Sequence, residues 1–252
     1  MELENASWIE VENYLKKPNG ILLSMGSTEQ HGPIGLIGTD TICSYEIAKK
    51  VANKTKMYLA PKIAYSSAPF NMSFPGTISI SDKLFKKFIF EIISSIFSHG
   101  FSFIYIINGH GANIKPIKEL IVKFEKKNIF FKSWWDFNEV NKIRKNLYGA
   151  WEGMHATPSE ISITKVNYRN ITSKNLLKLA KIPPQKLSNS YIKNHSGDRH
   201  GKPEKHKELF PDGRVGSHSY LSTKKAGRKL LRASIDEIVK DIKKIKKNIN
   251  NN

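Results

Sequence analysis

Glu29 and His31 stand two residues apart in Gly26-Ser27-Thr28-Glu29-Gln30-His31-Gly32-Pro33, and Asp40 follows in Gly38-Thr39-Asp40. In extended chain, residues i and i+2 project to the same side, so this carboxylate and imidazole share a direction. One imidazole between two carboxylates is a donor set for a divalent metal ion. Taken alone, the stretch also reads as a surface loop with chance polar residues. A second candidate is His110, in the small-residue loop Asn108-Gly109-His110-Gly111-Ala112-Asn113. A third is the polar stretch with Trp151, Glu152, His155 and Glu160, which leads into apolar Ile161-Ser162-Ile163.

The elements that must position these loops alternate in type. Residues 7–17 read as a short helix that Pro18-Asn19-Gly20 breaks. The apolar run Ile21-Leu22-Leu23 reads as a buried strand that delivers the Glu29 loop. Residues 41–52 read as a helix with Ile42, Ile47, Ala48 and Val51 inward, and residues 58–64 as a strand whose Pro61 suits an edge. Ser81 is a fitting N-cap, with Asp82 in the first turn, for a helix carrying Leu84, Phe88, Ile92 and Ile96 at four-residue spacing and ending at Gly100. Residues 101–107 form a near-continuous apolar run, as in a strand buried on both faces. A helix to about residue 127, with Leu120 and Phe124 inward, and a strand at 129–133 follow. Such alternation implies right-handed crossovers and a mainly parallel sheet covered on both faces. In that α/β arrangement the loops after Leu23 and Ile107 converge at one sheet edge, beyond the carboxyl ends of the strands.

The chain is 252 residues long, enough for one large domain, with 39% hydrophobic and 25% charged residues. The reading is a single domain over 1–248 and a disordered tail over 249–252. No apolar run reaches the ~18 residues of a membrane span. The acidic N-terminus lacks a signal-peptide pattern. Cys43 is the only cysteine, compatible with a reducing cytoplasm. The net charge of +19 is spread over many segments and densest near the C-terminus; a solvated basic surface is the default, with nucleic-acid binding as a lesser alternative. Residues 187–216 are polar and basic without a clear period, either an ordered excursion over the site or a mobile loop. Their His195, His200 and His206 fit a solvated loop better than another metal site. Ser222 or Thr223 caps a last helix with Leu230, Leu231, Ile235, Ile238 and Ile242 on its apolar side.

The ordered blocks carry a family resemblance. Gly-Ser-Thr-Glu-Gln-His-Gly-Pro at 26–33, Asp40, Phe-Pro-Gly-Thr at 74–77 and Asn-Gly-His-Gly-Ala-Asn at 108–113 resemble the creatininase (creatinine amidohydrolase) family. His155-Ala156 with Glu160-Ile161-Ser162 is similar to its His-Ala-Gly-x-x-Glu-Thr-Ser block, and Pro211-Asp212-Gly213 to its C-terminal Pro-x-Gly segment. The resemblance implies a three-layer α/β/α sandwich, often a homo-oligomer (a hexamer), with two divalent ions, zinc first and manganese or iron as alternatives. It places Glu29 and His110 on one ion, His31 on the other and Asp40 between them. Creatininase has a glutamate where this chain has Ala112, and Glu160 is the nearest replacement. Ile34 departs from the second histidine of the His-Gly-Pro-His block, and Gly111 replaces a tyrosine. Trp135, Trp151 and Ser79 would face the substrate, and His155, with Glu160, would serve catalysis.

The implied reaction is hydrolysis of a C–N bond in a small cyclic amide or formamide by a bridging hydroxide, His155 moving the proton to the leaving nitrogen. Substrates within that class include creatinine, a formamidopyrimidine, a precursor peptide of a redox cofactor and a sugar-derived ring. Alternatives are an inactive family member acting as a subunit or binding module, and a basic nucleic-acid-binding protein.

Overall fold

The computed structural model describes residues 1–195 and 201–250. Helix α1 (Trp8–Leu15) is opened by a reciprocal cap between Ser7 and Glu10. Strand β1 (Ile21–Met25), helix α2 (Thr39–Thr55) and strand β2 (Tyr58–Leu59) follow. Then come α3 (Asp82–Ser98), β3 (Phe103–Asn108), α4 (Ile114–Ile121) and β4 (Asn128–Ser133). The four strands form a fully parallel sheet in the order β2-β1-β3-β4. Strand β2 is two residues long and lies at the edge, where Pro61 after it costs no ladder hydrogen bond.

Both central strands are buried along their whole length, and their side chains alternate between two cores. Leu22, Phe103, Tyr105 and Ile107 face one cluster with residues of α2. Ile21, Leu23, Met25, Ile104 and Ile106 face a second with residues of α3 and α4. The result is a three-layer α/β/α sandwich.

Helix α3 corrects the four-residue series. Ser81 caps it, accepting from the Leu84 N–H. The series it buries is Phe85, Ile89 and Ile93, one position on, whereas Leu84 and Phe88 are about half exposed. The helix is apolar over an arc wide enough to contain both series. The sheet takes the residues that fill its second core, each worth about 1.5–3 kcal/mol on full burial. In α2, Ile47, Ala48 and Val51 are buried as expected, and Cys43 and Ser44 take the place of half-buried Ile42.

The second half is mostly helical: α5 (Asn138–Tyr148), α6 (Pro158–Asn167), α7 (Lys174–Lys181), α8 (Asn189–Asn194) and α9 (Pro203–Leu209). The long α10 (Lys224–Asn250) starts where the Ala226 N–H donates to Thr223 Oγ1. It contributes Leu230, Ile235, Ile238 and Ile242 to the first core and extends through the first two residues of the expected tail. Residues 251–252 lie outside the described residues. The basic stretch is an ordered excursion where described: His206 is fully buried on α9, its ring against Phe70, Phe74 and Phe210. The solvated-loop expectation therefore fails there, because two of the aromatic rings that bury His206, Phe70 and Phe74, come from a loop far away in the chain. His200 lies outside the described residues. Among the described residues no helix is long and apolar enough to cross a membrane.

Candidate metal centre

Two glycines let the strand-exit loops close on each other. A Cβ on Gly26 would stand 2.2 Å from the Thr41 nitrogen, and one on Gly109 would stand 2.1 Å from the Asp40 carbonyl oxygen. Only hydrogen at both positions allows the ends of β1 and β3 to touch the first turn of α2. That turn carries Asp40, whose negative charge suits a helix N-terminus.

The convergence buries Glu29, His31, Asp40, His110 and His155 almost completely. Asp40 Oδ1 is 2.8 Å from His31 Nε2, and Oδ2 is 2.8 Å from His110 Nδ1. Ser27 Oγ donates to Oδ2 at 2.8 Å. His110 Nδ1 is also 3.1 Å from Glu29 Oε1, and His155 Nδ1 is 3.7 Å from that same oxygen. Glu29 Oε2 accepts from Asn71 Nδ2 at 2.9 Å, while its buried Oε1 receives no hydrogen bond among the described residues.

Each histidine sets its tautomer on a backbone carbonyl. His31 Nδ1 lies 3.1 Å from the Glu29 oxygen, His110 Nε2 lies 3.0 Å from that of Ser67, and His155 Nε2 lies 2.7 Å from that of Gln30. A carbonyl only accepts, so those nitrogens carry hydrogen. The opposite nitrogen of each neutral ring then directs a lone pair at a carboxylate. Lone pair against carboxylate is repulsive unless a cation lies between them, a proton or a metal ion. Carbonyl-oriented imidazoles are also how metal-binding histidines are commonly held.

Protonation levels report the same demand. Burial lowers the His31 pKa, but Asp40, Glu160 and Glu29 overcome it and push it up to about 10. Burial and Glu29 with Asp40 oppose each other likewise at His110, whose pKa ends well above the usual value. Burial disfavours ionised Asp40, yet His31 and His110 hold its carboxyl well below the usual range.

Three sets of side chains offer donor atoms within 4.8 Å of one another: Glu29, Asp40 and His110; His31, Asp40 and Glu160; and Glu29, His31 and His155. A zinc ion with bonds of ~2.0–2.1 Å keeps its ligand atoms roughly 3–4 Å apart, so small side-chain closures suffice. Glu160 also caps α6: its Oε2 accepts from the Thr157 N–H at 2.8 Å, and its own N–H donates to Thr157 Oγ1. Ala112, buried beside His110, offers no ligand. Three carboxylates and three imidazoles buried together are a donor set that fits divalent ions.

The other sequence-derived candidates separate. Trp135 lines a cavity of about 150 Å³ with Gly111, Arg144, Met154 and Glu160. Trp151 does not line it; its ring packs on His218, with Lys186 Nζ 4.7 Å from its centroid. Ser79 Oγ accepts from the Ala68 N–H, pinning the loop before Asn71. Asn71 escaped the sequence reading, because a lone asparagine in an irregular loop carries no spacing signal. It holds Glu29, and its Oδ1 accepts from Gln30 Nε2 at 2.8 Å. Ala156, in the left-handed region at φ 57°, turns the chain between His155 and the Thr157 cap, and nothing in its sequence marks that conformation.

The family model for creatininase, creatinine amidohydrolase, matches residues 4–242. A 3-dehydro-scyllo-inosose hydrolase of Thermotoga maritima is 34% identical over 119 residues, covering 46% of this chain and 38% of that protein. A mycofactocin precursor peptide peptidase of Mycobacterium ulcerans is 34% identical over 109 residues, covering 39% of this chain and 42% of that one. The aligned stretches thus span less than half of either relative. A creatinine amidohydrolase of Pseudomonas putida is 24% identical over 184 residues, 66% of this chain and 71% of that one. A crystal structure of creatininase superposes with a TM-score of 0.77 at 19% identity over 96% of both chains. A manganese form of creatininase gives 0.76 at 20% identity over 96% of this chain and 97% of that one. At that identity the superpositions speak to fold, and the family match spans nearly the whole sequence: this chain belongs to the creatininase family.

Proposed function

We propose that this protein is a two-metal hydrolase that cleaves a C–N bond in a small cyclic amide or formamide. The observation that carries the reading is the common orientation of His31, His110 and His155, each fixed on a backbone carbonyl with its other nitrogen turned to buried carboxylates. Glu29, Asp40 and His110 would hold one ion, and His31, Asp40 and Glu160 the other, with Asp40 common to both sets. Glu160 supplies the carboxylate that Ala112 lacks. Zinc suits the mixed nitrogen and oxygen donors, and manganese or iron fits them too. Relatives in this family hydrolyse an inosose and a precursor peptide by name, which supports hydrolysis as the reaction class.

Bound there, divalent ions would supply Lewis-acid chemistry, polarising a carbonyl and acidifying water. The protein's own residues do the rest. His155 Nδ1, its lone pair facing the site, takes the proton and returns it to the leaving nitrogen. Trp135 gives the cavity a flat apolar wall. We also infer a small-molecule substrate and a homo-oligomer, the latter measurable by light scattering.

The test is turnover of a panel of cyclic amides and formamides by zinc- or manganese-loaded protein, before and after a chelator. Hydrolysis lost on chelation and restored by metal is the expected result. Creatinine should be among the poorer substrates, because Ala112 and Gly111 alter both the charge and the wall beside the ions. A protein that holds two ions yet turns over no panel member would instead support the non-catalytic subunit.

A further inference from the structure

The cavity beside the cluster has one cationic wall. Arg144 reaches it from α5, and Glu160, which also lines it, joins the cavity to the ligand group. The guanidinium is clamped in place. Its Nε donates to Glu152 Oε1 at 3.0 Å, its Nη1 to Asn141 Oδ1 at 2.9 Å, and its carbon lies 5.6 Å from the centre of the buried Trp134 ring. Among the described residues its Nη2 has no hydrogen-bond partner.

The clamp is tied to the metal-side helix. Ser159 Oγ donates to Glu152 Oε2 at 2.8 Å, so the first turn of α6, which carries Glu160, and the Arg144 guanidinium grip the same carboxylate. Glu152 is buried, and burial raises its pKa even against the Arg144 charge. A fork held this way loses little freedom when it meets a ligand. Arg144 is also only partly spent on Glu152, since a planar guanidinium offers five N–H groups. The cavity of about 150 Å³ is the liquid volume of roughly five waters, room for a compact molecule of a few bonds' span. The net charge of +19 favours approach of anions from any direction.

We infer that Arg144 forms an anion-recognition subsite, so that the substrate is an amide bearing a carboxylate or similar oxyanion a few bonds from the scissile carbonyl. This rests on the hydrolase reading above: the carbonyl lies at the Glu160 end and the anion at the Arg144 end. It also separates this site from one built for creatinine, which carries no such group.

The experiment is an NMR titration of zinc-loaded protein with two probes, N-acetylglycine and its neutral counterpart N-acetylglycinamide, with no turnover required. N-acetylglycine is expected to bind about tenfold more tightly, the discrimination of one charge-assisted hydrogen bond. In Arg144→Gln the preference should vanish, and in Arg144→Lys it should be partly kept. If Arg144 served only to neutralise Glu152, Arg144→Gln would lower the melting temperature and leave the preference intact, and that result overturns the inference. So does equal affinity for the two probes, or no binding of either. A carboxylate bound by the metal alone would likewise keep its preference in Arg144→Gln. Elemental analysis of the same samples reads the metal centre separately, so a protein that holds no ions fails the hydrolase reading, not this one.

Discussion

Asp40 meets His31 through one oxygen and His110 through the other, each at 2.8 Å, which joins the two halves of the cluster. Asp40→Ala should therefore lower bound metal from two ions per chain to one or none by elemental analysis; two ions retained would end the bridging assignment. Protons compete for the same places. His31, pushed up to about 10, is protonated near neutrality until an ion displaces its proton. Zinc loading at neutral pH should release protons to a weak buffer, and apparent affinity should rise with pH through the neutral range. The sign for the metal-free protein is the reverse: a raised histidine pKa adds stability below the unfolded value of ~6.5 that is lost as pH rises through the folded one. Its melting temperature should fall as pH approaches about 10. On the proposed reading, His155 belongs to chemistry more than to holding ions. His155→Ala should keep both ions and lose ~100- to 10,000-fold in kcat. Loss of an ion would make it a ligand, in keeping with its place near Glu29 and His31, and near-normal kcat would leave it a structural hydrogen-bonding residue.

The site depends on three elements meeting: the ends of β1 and β3 and the start of α2. Gly109 is where that meeting is tightest. Gly109→Ala puts a methyl group where the Asp40 carbonyl lies 2.1 Å away, so the first turn of α2 must withdraw and carry Asp40 with it. Metal affinity, measured by competition with a chelator, should drop by about 10- to 100-fold, the usual effect of disturbing the support behind a ligand; unchanged affinity would show that the contact yields elsewhere. The sequence made these elements legible because buried parallel strands read as unbroken apolar runs and because small polar loops follow both. It made Glu29, His31, Asp40 and His110 legible for the same reason. It concealed which stripe of α3 is buried, since Leu84-Phe88 and Phe85-Ile89 are equally apolar. It also concealed Asn71, which meets Glu29 across 42 residues, and the burial of His206 against Phe70 and Phe74, contacts that leave no local period.

Across the whole molecule, the sheet supplies a rigid floor, α6 brings Glu160 to the cluster, and α9 packs on Phe70 and Phe74 through His206. The basic surface surrounds an interior cluster of opposite sign, and on the proposed reading two divalent ions would neutralise that cluster. Anomalous scattering from a zinc-loaded crystal tests this most directly, since it locates ions without requiring a substrate. Two peaks per chain are predicted, sharing Asp40, one beside Glu29 and His110 and the other beside His31 and Glu160. A single peak, none, or peaks away from Asp40 would contradict the two-metal account.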